Sequence, residues 1–277
     1  MNKFLIAACA CLGAASIPAH AAKVIDATHL SYSETFDALS STTSTTNLAW
    51  ANDSTLANWS LFNRASGTAA TTYRSDNGGS NTGYFYSFGT TGNTDRALGS
   101  IGSSSSTGYW GTVASGNTAG YIALALTNNT GATLTDISLT YDGEQWRDAG
   151  NNPAVKQTMR VEYGYGASFG AVTTWTAAGS AFNFDSPTFT TTGAALNGNV
   201  AANRVAGLGG AISTSWANGS TLWVRWAEVN DNGSDHALAI DNVSFNATMP
   251  VPEPESYALM LAGLAAVGFM ARRRAQR

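Results

Sequence analysis

Residues 137–142, Ile-Ser-Leu-Thr-Tyr-Asp, decide the fold of this chain because apolar and polar side chains alternate through them without a break. Residues 159–165, Met-Arg-Val-Glu-Tyr-Gly-Tyr, repeat the alternation. A period of two is typical of β-strands that bury one face. We therefore expect sheets that line a core with one face and meet solvent with the other.

Further strand signals lie on both sides of these two segments. Residues 121–126 form an apolar run that ends at a turn, residues 222–226 alternate again, and residues 238–245 close the strand-rich region. We expect residues 40–47 to be a polar loop, and the Ala- and Gly-rich residues 193–211 to be a long loop or one helical turn. Short strands at close spacing predict an all-β protein with an antiparallel β-sandwich, jelly-roll-like in topology.

The charge of the chain limits its partners. The formal net charge is −4, although four arginines lie in the last six residues, so the body of the chain is more acidic than the whole. An acidic surface argues against nucleic acid as a partner. The two cysteines, Cys9 and Cys11, both precede residue 22, so the body of the chain relies on core burial without disulfides.

The first 21 residues have the pattern of a secretory signal peptide. Lys3 supplies the positive charge, residues 4–15 are apolar, and Pro18 breaks the helix before a small-x-small cleavage site. Ala19 and Ala21 are the two small residues of that site, and we expect cleavage after Ala21. No cysteine stands at the cleavage point, so a lipid anchor is not expected there.

The last residues form a second targeting signal. Pro252, Glu253 and Pro254 precede an apolar run from residue 257 to residue 271, and a basic cluster follows it, made up of Arg272, Arg273 and Arg274. We expect a β-sandwich domain over residues 22–248 and a sorting segment over residues 249–277. Within that segment the apolar run predicts a single transmembrane helix at about residues 256–271, with the arginines on the cytoplasmic side.

These three parts, in this order, resemble the PEP-CTERM sorting signal of Gram-negative bacteria. The resemblance implies that an exosortase, an integral-membrane cysteine peptidase, recognises the Pro-Glu-Pro motif and processes the chain. It also implies transient anchoring in the inner membrane, followed by a place at the cell surface or in the extracellular matrix. Family members typically come from species that make exopolysaccharide and biofilm.

A second resemblance covers roughly residues 95–246. Residues 141–147, 196–204 and 230–242 are similar to a β-sandwich module that recurs in exported bacterial proteins, including other PEP-CTERM proteins. The resemblance implies a non-catalytic module and leaves its ligand open.

Four acidic residues of this region are candidate ligands for calcium, a cation that prefers carboxylate oxygens: Glu144, Asp231, Asp235 and Asp241. The spacing does not fit an EF-hand, because the twelfth position counted from Glu228 is Ala239. The alternative is structural: Asn and Asp build a turn, and Glu144 or Asp241 pairs with Arg147 or Arg225.

Asp235 and His236 suggest a hydrolase only weakly. The chain has no cysteine outside the leader that could act as a nucleophile, and we do not expect an enzyme. The eight tryptophans raise a different possibility, because exposed tryptophans of a carbohydrate-binding module stack on sugar rings. The alternation places Trp226 in the core, whereas Trp223 is either exposed or in a cation–π contact with Arg225. We thus expect a non-catalytic surface or matrix protein, structural or adhesive, with exopolysaccharide binding as the alternative.

Overall fold

A computed structural model of the chain describes residues 22–64, 67–250 and 254–275. The described chain contains sixteen strands, one α-helix and two short 3-10 helices. The strands are β1 (Lys23–Asp26), β2 (Ser31–Glu34), β3 (Ser44–Ala49), β4 (Trp59–Asn63), β5 (Thr72–Asp76), β6 (Tyr84–Phe88), β7 (Ala97–Ile101), β8 (Thr118–Asn129), β9 (Leu134–Asp148), β10 (Thr158–Tyr165), β11 (Thr176–Ala177), β12 (Phe184–Asp185), β13 (Ala194–Ala195), β14 (Arg204–Trp216), β15 (Thr221–Val229) and β16 (Ala237–Thr248). The helix is α1 (Pro254–Ala275), and the 3-10 helices are Phe169–Ala171 and Ser180–Phe182.

The strands form two sheets. One has seven strands in the order β1-β8-β15-β10-β11, with β4 also on β8 and β12 also on β10. The other has nine strands in the order β13-β9-β16-β7-β6-β5-β3, with β14 also on β9 and β2 also on β16. Among the described strands most pairs are antiparallel, while β1 pairs with β8 and β5 with β6 in parallel. The predicted all-β sandwich is confirmed.

Facing residues of the two sheets build the core. Leu139 and Tyr141 of β9 are almost fully buried, as the alternation predicts, and so are Val224 and Trp226 of β15 in the other sheet. The rings of Tyr141 and Trp226 meet edge to face, with their centroids 5.6 Å apart. Burial of such side chains is the main source of stability for a sandwich whose residues 22–248 contain no cysteine.

The outer faces of both sheets are also partly covered, because loops fold back over them. On the nine-stranded sheet, Phe88 and Trp146 stack in parallel at 6.2 Å, and both side chains are buried. Gly78 and Gly198 lie so close to Trp146 that an added Cβ would clash with it. Gly78 also has a φ of +88°, a conformation that favours glycine. Gly198 lies against the indole ring and Gly78 against the backbone carbonyl group of Trp146, so the loops that carry these glycines pack closely on this residue.

Two expectations about loops were wrong. Residues 44–47 belong to β3, and much of the segment 193–211 belongs to β13 and β14, which pair antiparallel with β9. The register of β14 shifts between Val205 and Leu208, and Gly207, Gly209 and Gly210 have positive φ values. Glycine lets a strand bulge and bend, and it also removes the alternating side chains by which a strand is recognised in a sequence.

The two ends of the chain are described unequally. The proposed signal peptide with Ala19 and Ala21 lies outside the described residues, and so do Pro252 and Glu253. Pro254 begins α1, and the arginines Arg272, Arg273 and Arg274 form its exposed last turn.

The expected transmembrane helix needs a correction. A helix does form over residues 256–271, but no helix within the described ranges is long and apolar enough to cross a membrane.

Candidate functional site

The four predicted calcium ligands divide into two pairs. Glu144 and Asp241 lie on neighbouring strands of the nine-stranded sheet, where Asp241 pairs with Asp142 and Glu144 with Ala239. These residues share the outer face of the sheet with the Trp146 ring, since Ala239 packs in the same outer cluster.

Burial governs the charge state of the first pair. It raises the pKa of Glu144 to about 7, although the indole Nε1 of Trp146 donates a hydrogen bond of 2.9 Å to Oε2 and opposes the shift. Burial likewise raises the pKa of Asp241 to about 8, with the negative charge of Glu144 adding to the effect. Burial therefore favours the protonated form of both carboxyl groups.

Asn242 is the residue that keeps the acids of this face together. Its φ is +49°, and its side-chain Nδ2 donates to Asp142 Oδ2 at 3.2 Å and to Asp241 Oδ2 at 3.0 Å. Arg204 Nη1 lies 3.9 Å from Asp142 Oδ2. Two acidic side chains directly opposite each other on paired strands repel when both are charged, so an amide bridge and a nearby cation stabilise the pairing.

Asp231 and Asp235 form the second pair, in the turn between β15 and β16. The backbone N–H of Asp231 donates to Asp235 Oδ1 at 2.6 Å, and burial raises the pKa of Asp235 to about 7. Next to them is Glu228, which accepts a hydrogen bond of 2.7 Å from Ser100 Oγ. Burial, reinforced by the charge of Asp235, raises the pKa of Glu228 well above its usual value.

The sequence contained a signal for Glu228 that we did not use. Alternation along β15 places it on the same face as Trp226 and therefore inside the core. Its partner Ser100 lies on β7, one residue from Gly99, which contacts Ala239 of the outer cluster. The nine-stranded sheet thus separates the Glu228 neighbourhood from Glu144 and Asp241.

The predicted calcium set therefore does not form one site. Through the described ranges, no group of three or more His, Cys, Asp or Glu side chains is arranged to hold a metal ion. The oxygens of Glu144 and Asp241 accept hydrogen bonds from Trp146 and Asn242, and their raised pKa values disfavour the charged form that calcium needs.

The partners of Arg147 and Arg225 differ from Glu144 and Asp241, the two acids that we expected to pair with them. Arg147 Nη1 donates to the carbonyl oxygens of Gly78 at 3.2 Å and Gly79 at 3.4 Å. Arg225 pairs with Glu162, a residue that the sequence did not single out.

His236 is a buried structural residue. Its Nδ1 accepts a hydrogen bond of 3.2 Å from the backbone N–H of Ala149 and lies 3.0 Å from Gln145 Nε2. Its Nε2 lies 3.2 Å from the carbonyl oxygen of Val155, and its closest carboxylate is that of Asp148, at 3.6 Å, rather than that of Asp235. The two ring nitrogens of His236 thus contact backbone groups of different segments, and the buried ring ties these loops together.

The tryptophans mostly point inward. Seven of the eight are at most 3% exposed: Trp50, Trp59, Trp110, Trp146, Trp216, Trp223 and Trp226. Trp175 is partly exposed, on the segment that covers the outer face of the seven-stranded sheet. The inward place of Trp226 was predicted correctly.

Arg225 organises the surroundings of Trp175. Its guanidinium lies between two rings, 4.0 Å from the centroid of Tyr121 and 3.8 Å from that of Trp175. Nη2 and Nε contact Glu162 Oε2 at 2.5 Å and 2.7 Å. The sequence left open whether Trp223 is exposed or in a cation–π contact with Arg225. The ring is fully buried, and its Nε1 donates a hydrogen bond to the carbonyl oxygen of Gly166. The sequence analysis did not identify Phe62, Tyr121 and Phe169 as neighbours of Arg225. They come from β4, β8 and a 3-10 helix, which are far apart in the chain.

The rings around Arg225 border a cavity of about 420 Å³. Phe62 and Phe169 stack face to face, with centroids 3.9 Å apart and an interplanar angle of 12°, and both rings are partly exposed. Together with Trp175, Tyr121 and Arg225, they line this cavity with aromatic rings and one guanidinium group. We call these five residues the aromatic cluster.

Comparison with known protein families identifies the C-terminal segment as a sorting signal. Residues 250–274 match the PEP-CTERM protein-sorting motif, which confirms the resemblance noted in the sequence. The chain thus carries the sorting signal of an exosortase substrate. No curated protein matches the chain.

Two solved structures resemble the fold at low identity. The CBM22-1 xylan-binding domain from Paenibacillus barcinonensis Xyn10C is 9% identical, with a TM-score of 0.33, over 83% of this chain and 100% of that chain. The K2 cleaved adhesin domain of Lys-gingipain (Kgp) is 16% identical, with a TM-score of 0.34, over 79% of this chain and 98% of that chain. At this distance the likeness concerns the fold alone.

Proposed function

We propose that this chain is an exported, non-catalytic β-sandwich protein that an exosortase processes at its C-terminal motif and that then resides at the cell surface or in the extracellular matrix. The observation that carries the proposal is the sorting motif at residues 250–274. A leader pattern that ends at Ala21 supports export, with the sandwich over residues 22–248 and the sorting segment over residues 249–277.

The exposed helix supports retention at the inner membrane before processing. Leu259, Leu264 and Phe269 of α1 are each at least 63% exposed, so the helix offers its apolar side chains to its surroundings rather than to the sandwich. Arg272, Arg273 and Arg274 follow the apolar run, and their positive charges favour contact with the anionic surface of a membrane.

A structural or adhesive role is supported by where the aromatic side chains lie. Most tryptophans fill the space between and around the sheets, which yields a rigid body with few exposed rings. The buried, hydrogen-bonded His236 supports a non-catalytic assignment.

Processing of variants in cells that contain an exosortase tests this proposal. The parent chain should lose its C-terminal segment and leave the inner membrane. Replacing both Pro252 and Pro254 with Ala should leave the segment attached and the chain in the membrane fraction. Pro187→Ala, an exposed proline in a loop of the sandwich, is the matched control and should behave like the parent. Normal release of the double variant would contradict the proposal.

Carbohydrate binding is a second candidate function, favoured by the aromatic cluster. Partly exposed Phe62, Phe169 and Trp175 beside an Arg–Glu pair combine apolar ring faces with hydrogen-bonding groups, as sugar recognition requires. Native gels that contain soluble polysaccharides provide the test: the parent should be retarded, and Trp175→Ala should not. Equal mobility of the parent with and without every polysaccharide would contradict it.

A further inference from the structure

The cavity at the aromatic cluster continues along the surface into two others. It shares Arg64 and Tyr121 with a cavity of about 410 Å³. That second cavity shares Val113 and Ala114 with a third, of about 610 Å³, at the end of the sandwich beside the turn between β15 and β16. Each volume alone is typical of a single-ligand site.

We propose that these three cavities form one groove that holds a neutral polysaccharide chain lengthwise, with a sugar ring against the aromatic cluster and further sugars along the polar part. This inference rests on the second candidate function, carbohydrate binding. It adds to that function a polymeric ligand, a direction of binding and a second contact region.

The aromatic end suits a pyranose ring. One face of such a ring is made up of C–H groups, which pack against aromatic faces such as those of Phe169 and Trp175. The Arg225 guanidinium is held in place by Tyr121 and Glu162, so it offers a fixed donor beside the rings. A donor that is already ordered loses little further entropy when a ligand binds.

The rest of the groove suits hydroxyl groups. Thr112, Asn117 and Thr118 line its middle, and Asn81 and Asn230 are among the amides at the far end. Hydroxyl and amide groups both donate and accept hydrogen bonds, which matches the dual character of sugar hydroxyls.

Charge selects a neutral polymer over a polyanion. The guanidinium of Arg225 is neutralised by Glu162. The other two cations of the groove, Arg64 and Arg147, are matched in number by Asp231 and Asp235 at the far end. The body of the chain is also acidic. A polyuronate would meet carboxylates at that end without a surplus of cations.

Ala114 provides the sharpest test, because it lies where the second and third cavities meet and its side chain is exposed. Ala114→Trp should block the groove there without touching the aromatic cluster. Ala217→Trp is the matched control, since Ala217 is also exposed and its carbonyl oxygen, like that of Ala114, accepts a hydrogen bond within a turn.

The experiment is calorimetric titration of the full chain with neutral dimers and hexamers of β-linked glucose, xylose and mannose. A detergent without a sugar headgroup keeps the exposed helix in solution without competing for the groove. The best hexamer should bind the parent at least about tenfold more tightly than its dimer. Ala114→Trp should bind the dimer like the parent but lose the additional affinity for the hexamer. Ala217→Trp should bind both ligands like the parent. Trp175→Ala should bind both the dimer and the hexamer more weakly.

The outcomes separate the two claims. Equal affinity of dimer and hexamer for the parent, or an unchanged hexamer affinity in a folded Ala114→Trp chain, would overturn the lengthwise groove while carbohydrate binding stands. Absence of binding to every oligomer would overturn both. Thermal melting of each variant establishes that it is folded.

Discussion

Glu228 illustrates how one residue responds to its position in the fold. The alternation of β15 places its side chain in the core, where Ser100 Oγ donates a hydrogen bond to it and Asp235 raises its pKa further. A carboxyl group in such a place is stable when it carries its proton. Its role in the sandwich is therefore that of a neutral hydrogen-bonding group.

Substitution of Glu228 tests this assignment. We expect Glu228→Gln to keep the stability measured at neutral pH and to weaken its dependence on pH, because the amide resembles the protonated acid. Glu228→Ala removes the acceptor of Ser100 and should lower the free energy of unfolding by about 1–3 kcal/mol. Urea denaturation at two pH values measures both effects. A Gln variant as unstable as the Ala variant would show that the charged form is needed.

The substitution Gly143→Ala tests the packing of the core by adding a single carbon atom. A Cβ at this position would lie 2.3 Å from the Phe184 ring, so Gly143→Ala should destabilise the chain by about 1–3 kcal/mol through overpacking. Gly170→Ala is the control, because no heavy atom lies within 4 Å of its added Cβ. Denaturant midpoints compare the two, and equal stability would contradict the close contact.

At the scale of elements, strands with regular alternation were predictable and strands without it were not. The side chains of β9 and β15 follow the period of two, so their inward faces could be assigned. β14 has glycines at three positive-φ positions and is recognisable only by its pairing with β9. The aromatic cluster could not be predicted for a similar reason: cross-strand and loop contacts join Phe62, Phe169 and Arg225, which are distant in the chain.

Removal of α1 is the prediction that belongs to this scale. Deletion of residues 251–277 should leave the melting temperature of the sandwich within about 2 °C of the parent, because the described side chains of the helix are exposed. Differential scanning calorimetry of the two chains is the measurement. A large loss of stability would mean that the helix packs against the sandwich.

At the scale of the whole molecule, the buried acids link stability to pH. Burial raises the pKa of Glu144 and Asp235 to about 7 and that of Asp241 to about 8, whereas the values in the unfolded chain are close to 4. The folded state therefore binds more protons than the unfolded state between these limits. The stabilisation that these protonated acids give to the folded state is complete below about pH 4 and is lost as the pH rises through about 7 to 8.

This linkage predicts a chain that is more stable in mild acid than in mild base. The free energy of unfolding should fall by several kcal/mol between about pH 5 and about pH 9, since each pKa unit corresponds to about 1.4 kcal/mol. Urea denaturation across this range measures the slope. Asp241→Asn should make the decrease of the unfolding free energy with pH smaller. An unfolding free energy that increases with pH would contradict the charge states described for these acids.

The central claim is that both ends of the chain are targeting signals and that the sandwich is the part that remains outside the cell. The most direct measurement is the intact mass of the protein recovered from the medium or cell surface of bacteria that contain an exosortase. The account predicts a mass that lacks residues 1–21 and the segment after the Pro-Glu-Pro motif at residues 252–254. Recovery of the chain from the cytoplasm, with the mass of all 277 residues, would contradict it.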